Sequence, residues 1–142
     1  MQTAPQNVLD KLQPKHKKNI FFPYGLPAFE KMTNFILIWN ENEAPFLWLQ
    51  STQDSNLSFI TVDPFLVTDN YIPEIAEEDV KLLNIKNEKD VFLLSIINIK
   101  NNHQLDITAN LLSPIVINWQ KQTAKQVILK NHNLYSIKHS IS

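Results

Sequence analysis

The chain has 142 residues, 44% of them hydrophobic and 10% aromatic, with a net charge of −1; that length suits one domain with a core of its own. It contains no cysteine, which excludes disulfide and thiolate chemistry. All thirteen basic residues are lysine; without arginine, the bidentate reader of guanine and phosphate, and with a pI near 6.4, direct binding of nucleic acid is not expected.

Charge is unevenly spread. Residues 63–90 carry eight acids against three lysines, whereas residues 91–142 carry five lysines and one acid, Asp106. No apolar run approaches the ~20 residues of a membrane-spanning helix. The start, M-Q-T-A-P-Q-N-V-L-D-K-L, lacks the basic and apolar regions of a signal peptide, so a cytoplasmic location is expected. Gly25 is the only glycine. One glycine is too few for a phosphate-cradling loop, a dinucleotide fingerprint, a nucleophile elbow or a G-x-x-G RNA loop. The histidines, 16, 103, 132 and 139, include no i, i+4 pair. No catalytic site, metal or cofactor is therefore expected.

In chain order, residues 1–14 are polar, hold Pro5 and Pro14, and are expected to be a flexible N-terminal segment, with residues 15–142 forming a single domain. Lys18 to Phe22 reads as a first strand, ended by Pro23. Gly25 should supply a left-handed turn, Pro27 to Glu30 a brief helical turn with Pro27 at its first position, and Phe29 a plug for the core. Thr33 to Trp39, Pro45 to Ser51 and Leu57 to Val62 read as strands, the last stopped by Asp63-Pro64. Phe65 to Ile72 reads as irregular. Ala76 to Ile85 is the best helix candidate, and Glu77, Glu78 and Asp79 in its first turn complement the helix dipole. Lys89 to Lys100, Leu105 to Leu112, Ile115 to Trp119 and Ala124 to Leu129 complete the strands, with turns at Asn101-Asn102 and Gln120 to Thr123. The expected architecture is mainly β: a compact antiparallel, strongly bent sheet or small β-barrel with one or two short helices.

Four stretches carry a family resemblance. G-L-P-A-F-E (25–30), P-F-L-W-L-Q-S (45–51), L-S-F-I-T-V-D-P-F (57–65) and A-N-L-L-S-P-I-V-I-N followed by A-K-Q-V-I-L (109–118, 124–129) resemble, in order and spacing, the blocks of the flagellar assembly factor FliW family. The resemblance covers about residues 20 to 135. Ala28 stands where that family usually has glycine, from which position 28 is expected to need no positive φ and Gly25 to be the irreplaceable one. Ser113 stands where alanine is common.

The resemblance implies a non-enzymatic cytoplasmic regulator, monomeric when free. It would bind flagellin and the RNA-binding translational repressor CsrA, partitioning between them and so controlling flagellin translation. An RNA-binding partner presents positive charge, so Glu74, Glu77, Glu78 and Asp79 are candidates for an acidic face toward CsrA; the alternative is a solvated helix start. Flagellin's amphipathic ends call for an apolar surface, and Phe65, Leu66, Tyr71 and Ile72 are candidates to line it; the alternative is that this segment covers the barrel as core. Gly25, Pro27, Phe29, Trp48, Asn110, Pro114 and Asn118 are assigned structural roles, with the two asparagines satisfying backbone groups. Trp39, Trp48, Trp119 and Phe46 are assigned to packing over ligand stacking. Three other readings stay open: a flagellin secretion chaperone alone, a small barrel binding single-stranded nucleic acid on its aromatics, and an enzyme using a flavin at a dimer interface.

Overall fold

The computed structural model describes residues 16–141; the expected flexible segment, 1–14, lies outside them. Nine strands form: β1 (His16–Phe21), β2 (Asn34–Trp39), β3 (Phe46–Ser51), β4 (Ser58–Val62), β5 (Val91–Asn101), β6 (Leu105–Ala109), β7 (Ile115–Asn118), β8 (Thr123–Gln126) and β9 (His139–Ser140). A single α-helix, α1 (Glu77–Leu82), and four 3-10 turns complete the described residues.

Seven strands close into a barrel in the order β4-β3-β2-β1-β8-β7-β5, with β5 returning to β4 through Thr61↔Ile96 and Val62↔Ser95. The neighbours are antiparallel except β1 and β8, which meet in parallel at Phe21↔Thr123, a junction that antiparallel expectation misses. There Phe21 N–H donates to Gln122 O at 2.9 Å. The second half of β5 pairs with β6, and β9 adds to the far edge of β6.

Alternation decides which side chains fill the barrel. Phe35 and Leu37 on β2, Leu49 on β3, Phe59 on β4, Leu94 on β5 and Ile115 and Ile117 on β7 share one interior cluster, all nearly inaccessible. Each such burial contributes roughly 1.5–3 kcal/mol. The unbroken apolar runs of β5 and β7 have a different cause. All four residues of β7 are buried, because Val116 and its neighbour Leu93 face outward into a second cluster with Tyr71, Leu83, Ala109, Leu111, Val127 and Leu129. Strands covered on both faces read as continuous apolar runs. Trp48 lies half-buried on another outer face, with Ile36, around the fully buried Ile38.

The structural asparagines act on the backbone as expected. Asn110 Oδ1 accepts from Ser113 N–H at 2.9 Å. Asn118 Nδ2 donates to Leu83 O at 2.8 Å and Asn84 O at 3.2 Å, and its Oδ1 accepts from Lys121 N–H at 3.1 Å. Asn118 thus ties the end of β7 to the end of α1. Pro114 is buried, and its carbonyl accepts from Val127 N–H at 3.0 Å.

The turn after β1 corrects three expectations. Gly25 has φ +66°, and a Cβ added there would fall 2.5 Å from the backbone oxygen of Glu30. Residues 26–29 form no helical turn. They make a tight turn in which Phe29 N–H donates to Leu26 O at 2.7 Å, with Pro27 second and Ala28 third at φ +70°, the pattern of a type II turn. Ala28 therefore does adopt the positive φ that its side chain disfavours. The plug is Leu26, 2% exposed; Phe29 is half-buried, edge-on to Phe59 at 5.9 Å.

Two substitutions separate strain from clash. Ala28→Gly should stabilise the fold by about 1 kcal/mol by relieving the left-handed backbone. Gly25→Ala should destabilise it by more than about 2 kcal/mol, since the same strain is joined by contact with backbone that cannot move aside. Urea unfolding monitored by tryptophan fluorescence checks both signs.

Candidate functional site

The segment from Asp63 to Ile85 leaves the barrel after β4 and crosses the outer face of β5, β7 and β8. Its local chemistry determines what it exposes. Asp63 Oδ1 accepts from Phe65 N–H at 2.9 Å, and Pro64 starts a 3-10 turn, Pro64–Leu66. That turn leaves Phe65 50% and Leu66 67% exposed.

Tyr71 turns the other way. It is 4% exposed, and its hydroxyl donates to Leu111 O at 2.8 Å. Burial first, and Tyr135 second, push its pKa well above the ordinary tyrosine range, so it remains a donor. Its ring meets Phe65 at 5.4 Å and Tyr135 at 4.9 Å, both edge-to-face. Tyr71 is thus core, not groove lining, while it supports Phe65 from below.

The extended stretch 70–74 is held by the C-terminal segment. Tyr135 Oη accepts from Ile72 N–H at 2.8 Å. Asn131 Nδ2 donates to Ile72 O at 2.8 Å, its Oδ1 accepts from Glu74 N–H at 3.0 Å, and Lys130 N–H donates to Glu74 O at 2.8 Å. With its backbone so occupied, the stretch leaves the Ile72 side chain 71% exposed, and Glu74 is exposed beside it. Leu134, also 71% exposed, sits on the turn between Asn131 and Tyr135. Asn131, Leu134 and Tyr135 were not among the sequence candidates. Two asparagines and a tyrosine within residues 131–135 are the available signal, but the partners of Asn131 and Tyr135 lie about sixty positions away.

Helix α1 follows. Glu77 and Glu78 in its first turn are exposed. Asp79 is not: it is 4% exposed and forms an ion pair with Lys125 of β8, whose ammonium also lies 5.7 Å from the ring centre of Tyr24. Asp79 therefore anchors the helix to the barrel, a correction to its place on an acidic face. The helix ends on Asn84 at φ +54°. Ile85 N–H donates to Val80 O and Asn84 N–H to Lys81 O, each at 3.0 Å, a Schellman closure.

The structure brings Phe65, Leu66, Ile72, Glu74, Glu77 and Glu78 to the surface along one continuous segment, and takes Tyr71 and Asp79 inside. Five residue steps from Ile72 to Glu77 span at most about 18 Å. Apolar anchors therefore lie within one protein footprint of three carboxylates. Among the described residues no group of three His, Cys, Asp or Glu is placed to hold a metal, and no helix is long and apolar enough to cross a membrane.

A closed barrel carrying a rigidly held, mixed apolar and acidic outer segment defines a class: a small β-barrel suited to protein contact. The family model described as FliW protein matches residues 3–141. The flagellar assembly factor FliW of Thermosipho africanus is 38% identical over 134 residues, covering 94% of this chain and 92% of its own. That of Bacillus subtilis is 36% identical over 127 residues, covering 89% and 87%. A crystal structure of the flagellar assembly factor FliW superposes with a TM-score of 0.77 at 35% identity, over 87% of this chain and 85% of that one. The chain belongs to the FliW family of flagellar assembly factors.

Tyr71→Phe should cost about 1–2 kcal/mol, because the Leu111 carbonyl loses its buried donor. Ile72→Ser should change stability by less than about 0.5 kcal/mol. Chemical denaturation of the two variants tests the assignment of one residue to the core and the other to the surface.

Proposed function

We propose that this protein is a non-enzymatic cytoplasmic regulator of flagellum assembly, monomeric when free, that binds flagellin and, in exclusion of it, the translational repressor CsrA. The observation that carries the reading is the Phe65–Glu78 segment. It offers exposed apolar side chains for an amphipathic flagellin helix and exposed carboxylates for a basic RNA-binding partner. Membership in a family of flagellar assembly factors supports a flagellar role.

The mechanism needs two binding equilibria and one shared surface. A partner of ordinary footprint, about 800 Å² on each side, would cover both Ile72 and Glu77. Seating either partner would then obstruct the other, and free flagellin would release CsrA by mass action. When flagellin is exported, the protein would return to CsrA and free the flagellin message for translation.

Calorimetric titration with flagellin and CsrA from the same organism, separately and then each in the presence of the other, tests this reading. Displacement of one by the other is expected. Binding of flagellin alone would leave a secretion chaperone, and binding of neither would overturn the proposal. Glu77→Lys with Glu78→Lys should weaken CsrA about tenfold, most strongly at low salt. Phe65→Ser with Leu66→Ser should weaken flagellin by at least about fivefold. Equal affinities in the variants and the parent would remove this segment from the contact.

A further inference from the structure

The two ends of the barrel differ. β1 runs from His16 to Phe21, and the chain beyond it folds over that end, where Leu26 plugs the interior. Around the opposite end, where β1 begins, Trp39, Leu47, Val91, Phe92 and Trp119 are only half-buried. Together with Lys89 they line a cavity of about 370 Å³. The two indoles are 6.1 Å apart and inclined at 54°, and Phe92 stands edge-on to Trp119 at 5.4 Å. Cavities of several hundred Å³ with apolar walls and few polar groups are the usual form of small-ligand sites.

The polar groups are cationic. Lys89 lines the cavity, and Lys18 Nζ lies 4.3 Å from the ring centre of the wall residue Trp119. No carboxylate is among the described lining residues. Glu88 and Asp90 share a 3-10 turn with Lys89 but stay out of the lining, and the nearby Glu41 is engaged by His16 at 3.2 Å. Among the described residues, neither Lys18 nor Lys89 has an ion-pair partner.

We infer that this barrel mouth is a binding site for an apolar carboxylate: a planar or branched apolar group held against the wall formed by Trp39, Phe92 and Trp119, with its anion met by Lys89 and Lys18. The same chemistry belongs to a free aromatic acid and to the C-terminal residue of a polypeptide. The site is separate from the Phe65–Glu78 face and stands whether or not that face binds flagellin.

The test is calorimetric titration of the full chain with 4-phenylbutyrate, its uncharged analogue 4-phenylbutyramide, and the peptide acetyl-Ala-Ala-Ala-Phe with a free or an amidated C-terminus. Trp39 and Trp119 fluorescence provides a second readout. Saturable binding of at least one carboxylate is expected, with the matching amide at least tenfold weaker. The double variant Lys18→Gln, Lys89→Gln should lower carboxylate affinity to the level of the amide while the unfolding midpoint shows the fold intact. Binding of phenylbutyrate without the peptide would assign the site to free acids; binding of the peptide would assign it to polypeptide ends; either supports the inference. Absence of saturable binding, equal affinity for acid and amide, or a preference that survives in the double variant would overturn it.

Discussion

Strands β5 and β7 are buried on both faces, and what lies on either side of them depends on it. Inward, Leu94, Ile115 and Ile117 belong to the barrel interior. Outward, Leu93 and Val116 form the floor of the second cluster, over which Tyr71, Leu83, Leu111 and Leu129 are laid. A barrel of this size needs only the first core to close. The second core adds a fixed outer layer: residues 64–85 from one direction and the C-terminal segment from the other. Large-to-small changes at Val116 would therefore be felt by the outer layer through lost floor contacts, while the same change at Ile117 would be felt inside the barrel.

That outer layer is held differently from the strands. Its long irregular path cannot satisfy its backbone through a ladder, so side chains do so: Asp63 at the start, Tyr135 and Asn131 in the middle, Asn118 beneath the end of α1. Buried backbone groups left without such partners would each cost about 1–3 kcal/mol. Because these clamps act on backbone atoms, the side chains of Ile72 and Glu74 are released to solvent. Phe65 and Leu66 are turned out by the preceding Pro64 turn for the same reason: the hydrogen bonds are made by the backbone, and the side chains are surplus to the core. Ile72 sits on backbone whose N–H and carbonyl are both hydrogen-bonded, so a partner would meet a surface that loses little entropy there on binding.

The fold was legible where periodicity and punctuation agreed. Seven alternating or continuous apolar runs bounded by proline, asparagine or aspartate became the barrel strands, and closure followed from the need to hide their edges. The two-residue β9 left no pattern to read, and the parallel β1–β8 junction depends on a pairing across about a hundred positions. The candidate surface was half legible. An acidic start to α1 is visible in sequence, but the inward turn of Asp79 depends on Lys125, which sits on β8. Tyr71 and Ile72 are adjacent and equally apolar in sequence, yet one is core and the other exposed; a hydrogen bond to Leu111, forty positions away, decides between them. Ala28 shows the opposite limit. Its side chain suggested an ordinary backbone, yet the type II turn between Leu26 and Phe29, with Pro27 second, places Ala28 at a positive φ.

The strain at Ala28 and the clash reserved at Gly25 have a joint consequence for how the two ends of the barrel are used. The end that Leu26 plugs is held by a turn with one position that accepts only glycine and a second occupied at a cost of about 1–2 kcal/mol, so closing it takes a specific and strained stretch of chain. The opposite end has no corresponding plug among the described residues; it is walled by Trp39, Phe92 and Trp119 and rimmed by lysine. Aromatic rings left half-buried at a barrel mouth forgo part of the roughly 25 cal/mol per Å² that covering them would contribute. Among the described residues one end is sealed by a strained turn and the other carries half-buried rings, and such local inconsistencies concentrate where a fold serves binding and not only stability.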